Sequence, residues 1–146
     1  MAHRVLRAED AHWRPSNQMK VLNTNLAQQL EATTLGARLW RLAPGQASTR
    51  HRHTVQHELY VLIEGTGRMR VDGQSLTIGT AGSAIAVEPD SVRQLFNDTD
   101  ADQLWLVVGA PAENANTLET TDEELAFVSP EGPKALPPEL GGCVAS

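Results

Sequence analysis

Gly45-Gln46-Ala47-Ser48-Thr49-Arg50-His51-Arg52-His53-Thr54-Val55-Gln56-His57-Glu58-Leu59-Tyr60-Val61-Leu62-Ile63-Glu64-Gly65 is the most informative stretch of this 146-residue chain. His51 and His53 are separated by one residue, so on an extended backbone their side chains share a face, and Arg50 and Arg52 take the other. Glu58 follows five residues after His53, and glycines bracket the run. Neutral imidazole is a common metal ligand, and a carboxylate adds the charge a divalent cation requires. A lone histidine on a strand is usually a satisfied polar residue, and a His-rich turn can simply be solvated. The shared face and the nearby carboxylate make His51, His53 and Glu58 candidate ligands for a divalent cation. His57 is the alternative third ligand if the connecting turn is one residue tighter.

Outward from this stretch the texture is that of strands. Leu35, Ala37 and Leu39 alternate with Arg38 and Trp40 before the turn at Ala43-Pro44-Gly45. Leu59 to Ile63 is apolar at every position, as a doubly covered central strand is. Arg68-Met69-Arg70-Val71 alternates, Asp72-Gly73 is a type I′ hairpin dipeptide, and Gln74 to Ile78 returns. Further strands are expected at 84–87, 92–96 and 104–108, separated by Gly, Pro, Asn and Asp. Many short strands with frequent turns mean an all-β sandwich or barrel.

The bracketed histidine run resembles the first motif of the cupin superfamily, G-x5-H-x-H-x4-E-x6-G, with every fixed position matched. In that register Glu58 is the third ligand, and His57 lies behind the ligands or on the surface. The second family motif, G-x5-P-x-G-x2-H-x3-N, is matched in part by Gly79 to Asn97. Ser91 stands in place of its second glycine, Gln94 in place of its histidine, and Asn97 comes one residue early. The resemblance covers about residues 34–110. It implies a small antiparallel β-barrel of jelly-roll type, a small-molecule ligand in the barrel mouth, and a homodimer. It also implies a bound divalent transition metal (Fe, Zn, Ni or Mn), with Gln94 as a weak metal or substrate contact. Without the motif-two histidine, two inferences have equal physical force. Two histidines and one carboxylate leave open positions suited to dioxygenase or isomerase chemistry. Equally, a missing ligand lowers affinity and leaves a non-catalytic binding module.

The flanks read differently. Residues 1–33 are expected to be an N-terminal extension, with a short helix over Leu22 to Leu30 capped by Asn23 or Thr24. Residues 34–110 form the barrel and 111–146 a C-terminal helix and tail. Thr121-Asp122-Glu123-Glu124 resembles a capping box, with Leu125, Ala126 and Phe127 following as a short helix. Arg38, Arg68 and Arg70 can clamp a carboxylate or phosphate inside a barrel, although strand arginines more often sit in water. Tyr60 and Trp40 either line a pocket or belong to the core.

Composition narrows the function. The net charge is −6 and aromatic residues make up 4%, which argues against nucleic acid as a partner. The charge is uneven: residues 1–87 carry ten basic and six acidic side chains, and residues 88–146 carry two and twelve. No run of 18 apolar residues exists for a membrane span, and the start lacks a signal-like apolar run. Cys143 is the single cysteine, so no intrachain disulfide forms, which fits a reducing cytoplasm. Phosphate loops of the Walker type, G-x-S-x-G elbows and CxxC pairs are absent from the sequence.

Overall fold

The computed structural model describes residues 2–113 and 120–142, so Cys143 lies outside the described residues. In chain order the elements are β1 (Trp13–Pro15), β2 (Leu22–Asn25), α1 (Leu26–Gln29), β3 (Gly36–Leu42), β4 (His57–Glu64), β5 (Thr66–Val71), β6 (Gln74–Thr80), β7 (Ala84–Val87), β8 (Arg93–Phe96), β9 (Gln103–Ala110) and α2 (Asp122–Val128). A six-stranded sheet in the order β1-β2-β3-β9-β4-β7 packs on a three-stranded sheet in the order β6-β5-β8. All pairings are antiparallel, as a jelly roll requires. Among the described residues no helix is long and apolar enough to cross a membrane.

Period-two alternation decides which residues enter the space between the sheets. Leu42, Leu62, Met69, Phe96 and Trp105 are fully buried there, each contributing roughly 1.5–3 kcal/mol of hydrophobic stabilisation. Gly67 lies directly beneath the Trp105 indole, where a Cβ would meet the ring. The Asp72-Gly73 turn has positive φ at both residues, as type I′ geometry demands.

Three expectations change. Leu22–Asn25 is a strand rather than the start of a helix, because it pairs with Arg38–Arg41 of β3 and thereby extends the large sheet. Only Leu26–Gln29 is helical, and its cap is Asn25, whose side chain accepts from Gln28 N. Leu59 to Ile63 is fully covered on one face only: Tyr60 and Leu62 point inward, while Leu59 and Ile63 remain 43% and 42% exposed. Among the described residues, the apolar outer face of β4 is only partly covered, with Val61 half-buried between Leu59 and Ile63.

At the other end, α2 forms with Thr121 as its cap, accepting from Glu124 N. The Glu124 carboxylate pairs with Arg52 through two hydrogen bonds of 2.7 and 2.9 Å. Arg52 also stacks over Phe127 at 4.2 Å. The tail beyond α2 crosses the small sheet, where Glu139 accepts from Arg70 and Ser75.

Candidate metal centre

The histidine segment is stitched along β8. Gly45 N donates to Asn97 O, Ser48 N to Leu95 O and His51 N to Arg93 O, and Arg93 N donates back to His51 O. Asn97 locks one end: its side-chain amide donates to Leu42 O and Ala101 O, and its Oδ1 accepts from Thr99. This pairing brings His51 and His53 over β4, where alternation aims Glu58 inward. The ligand atoms of His51, His53 and Glu58 all lie within 4.8 Å of one another.

The tautomers of the two imidazoles follow from their neighbours. His51 Nδ1 lies 3.1 Å from Thr49 O, an obligate acceptor. His53 Nδ1 lies 3.1 Å from Glu113 Oε2, another acceptor. Each Nδ1 therefore donates to its acceptor, and each ring turns its Nε2 inward. Those Nε2 atoms lie 3.2 Å (His51) and 3.3 Å (His53) from Glu58 Oε1. Buried His53 Nε2 has no hydrogen-bond partner among the described residues. Beside the Arg93 guanidinium, which lies 3.1 Å from Glu58 Oε1, the two Nε2 atoms and the carboxylate oxygen are close enough to share a proton or a metal ion. Metal–ligand bonds of about 2.1 Å at tetrahedral to octahedral angles set neighbouring ligand atoms ~3.0–3.4 Å apart. The donor set fits a divalent cation.

Glu58 is held firmly. Burial alone would raise its carboxyl, but the imidazoles of His51 and His53 and the Tyr60 hydroxyl outweigh that and hold it well below the usual carboxylate range. Tyr60 donates to Glu58 Oε1 at 2.7 Å, and burial together with the Glu58 charge pushes its phenol well above the ordinary value. Glu113 braces the same region by accepting from the backbone of Thr54, Val55 and Gln56. Burial again works against its ionisation, and those amide hydrogen bonds with the His53 contact overcome it, lowering the Glu113 carboxyl.

Arg93, rather than Gln94, is the β8 residue that faces the cluster. Gln94 Nε2 donates to Ser48 O and Ala135 O, beneath the C-terminal tail and on the opposite side of the strand. The reason is register: directly opposed residues on antiparallel strands share a face, and His51 is opposed by Arg93. Arg93 is wholly buried and donates from Nη1 to Glu58 Oε1 at 3.1 Å and from Nη2 to Glu88 O. Asn97, one residue early when counted from Gln94, is in step when counted from Arg93. That offset was the available signal in the sequence. Glu113 had none, since it follows the barrel in an irregular segment.

The other candidates separate cleanly. His57 is exposed on the outer face of β4. Arg50 reaches Glu131 and Arg52 reaches Glu124, both away from the cluster. Arg68 pairs with Asp98 and Arg70 with Glu139, so neither enters the mouth of the barrel. Arg38, Trp40 and Tyr60 line a cavity of about 740 Å³ that also contains His51, His53 and Glu58.

Comparisons with known proteins agree with this architecture. Residues 38–109 match the family model described as a cupin domain, Cupin_2. No curated protein sequence matches the chain. Among solved structures, a sugar phosphate isomerase of the cupin superfamily from Silicibacter pomeroyi is 25% identical, with a TM-score of 0.65 over 75% of this chain and 76% of that one. A predicted oxalate decarboxylase from Thermotoga maritima is 21% identical, with a TM-score of 0.65 over 75% of this chain and 100% of its own. A cupin protein from Bacteroides fragilis is 20% identical, with a TM-score of 0.61 over 85% and 94%. With the motif, the two-sheet barrel and the His-His-Glu cluster all in place, the chain belongs to the cupin superfamily.

Proposed function

We propose that this cupin is a divalent-metal-dependent enzyme, of isomerase or dioxygenase type, acting on a small organic molecule held in the barrel mouth. The observation that carries this reading is the convergence of two Nε2 atoms and the Glu58 carboxylate at 3.2 and 3.3 Å beside an open cavity. A cation bound there supplies Lewis-acid polarisation or, as iron, an oxygen-binding centre. The chain's own groups prepare the position. Thr49 O and Glu113 orient the two rings, and Tyr60 and Arg93 fix the Glu58 carboxylate. The likeness to a sugar phosphate isomerase at 25% identity supports the isomerase arm.

Arg93 favours a second reading, a non-catalytic module binding a small ligand. Its guanidinium already balances Glu58 and adds a like charge beside any incoming cation. Elemental analysis of the purified chain beside a His51→Ala/His53→Ala variant separates the two. About one transition metal per native chain and none in the variant is the expected result. If the native chain carries none and takes up no iron, zinc, nickel or manganese on titration, the enzyme reading is lost and the binding module stands.

The partly exposed apolar stripe of β4 supports a homodimer, since an apolar sheet face of this kind is a natural site of association.

A further inference from the structure

Across the large sheet, one inward-facing row runs from Arg38 on β3 through Val107 on β9 to Tyr60 on β4. Glu58 is the next inward residue on β4. Arg38 therefore faces the same cavity as the metal cluster, two strand spacings or ~10 Å from Tyr60 along the sheet. Arg14, on the edge strand β1 with β2 between it and β3, lines the same cavity.

The electrostatics of the Arg38 end are unbalanced. Arg38 is half-buried, yet among the described residues no carboxylate pairs with it or with Arg14. Among the described residues Arg38 donates from Nη1 to Asn23 Oδ1 at 2.8 Å, a neutral acceptor, and its guanidinium lies 6.0 Å from the Trp40 ring. Arg14 likewise donates to a neutral amide oxygen, that of Asn17, at 3.0 Å. Burial, and then the charge of Arg14, both depress the Arg38 guanidinium's pKa. The acids lining the cavity, Glu58 and Glu113, lie at its other end, held by the histidines, Tyr60, Arg93 and backbone amides. By contrast, Arg41, Arg50, Arg52, Arg68, Arg70 and Arg93 all have carboxylate partners. A guanidinium presents five donors in a planar fork, and most of those on Arg38 are left for something that enters the cavity.

We propose that Arg38, supported by Arg14 and positioned by Asn23, is an oxyanion subsite, so that the ligand of this cavity carries a carboxylate or phosphate group. This assignment rests on the cavity being the binding site proposed above, and it gives that site a substrate class: small organic acids or organic phosphates. The anionic group sits at the Arg38 end and directs the rest of the molecule toward His51, His53 and Glu58.

The test is titration of the full chain with inorganic phosphate and, separately, with acetate, at constant ionic strength maintained with chloride. The Arg38 Nε–H and Asn23 side-chain amide resonances are followed by NMR. The expected result is a saturable shift with at least one anion in the native chain, weakened about tenfold or more in Arg38→Gln and less in Arg38→Lys. Arg14→Gln, at an exposed position, weakens binding to a smaller degree, and Arg68→Gln leaves it unchanged. Preference for phosphate points to organic phosphates and preference for acetate to organic acids. No saturable shift with either anion, or equal binding by a folded Arg38→Gln chain, overturns the proposal. His51→Ala/His53→Ala keeps the two questions apart. Anion binding retained in a native chain that takes up no metal leaves the subsite standing while the enzyme reading falls. Metal uptake without anion binding does the reverse.

Discussion

At the scale of single residues, the centre turns on one oxygen. Glu58 Oε1 has His51, His53, Tyr60 and Arg93 around it at 2.7–3.3 Å. Arg93 occupies the place where an imidazole would complete a four-ligand set. Arg93→His is therefore expected to tighten divalent metal binding by at least an order of magnitude, by adding a ligand and removing a like charge. Competition against a metal-sensitive dye measures it; unchanged or weaker binding would show that position 93 does not govern the site. Arg93→Ala is expected to destabilise the fold by roughly 3–5 kcal/mol in urea unfolding, since it removes one partner of a buried pair.

Among the elements, the C-terminal tail is held by a titratable carboxylate. Glu139 fastens it to β5 and β6 through Arg70 at 2.6 Å and Ser75 at 2.9 Å. Burial by itself would raise the Glu139 carboxyl; its own backbone amide, Ser75 and Arg70 together outweigh burial and lower it. A carboxyl with a depressed folded-state pKa contributes stability above its ordinary value, and that contribution disappears as pH falls through the folded-state value. Native chain and Glu139→Gln are expected to differ by about 1 kcal/mol at neutral pH, the scale of a single partly buried hydrogen-bonded contact. The difference should vanish in acid. Paired urea melts across the acid range check this, and a constant difference would assign the role of Glu139 to packing. The helix α2 belongs to the same scale. Its cap was legible in Thr121, while the Glu124 carboxylate turned instead to Arg52, a partner far away in sequence.

For the whole molecule, the consequential feature is the outer face of the large sheet. Leu59 and Ile63 are exposed there, with half-buried Val61, Leu106 and Val108 beside them. If this face pairs two copies, Leu59→Glu converts a dimer into a monomer in size-exclusion chromatography while metal content stays unchanged. A native chain that elutes as a monomer at all concentrations removes the homodimer.

Sequence alone marked out the His51-His53-Glu58 cluster, the Asp72-Gly73 hairpin, the α2 cap and the all-β class. Each depends on spacing within a few residues, where period-two alternation and turn chemistry are local rules. Tertiary structure decided what depends on pairing between distant segments. The register of His51 against Arg93 put an arginine beside Glu58 and sent Gln94 beneath the tail. A one-residue step along a strand reverses the face, so a motif count that is off by one names the wrong side chain. Packing also determined that Glu113 orients His53, that β2 is a strand, and that β4 leaves Leu59 and Ile63 exposed on its outer face. Strand pairing and cover are properties of the assembled sheets, and Leu59 reads the same in the sequence whether or not anything lies over it.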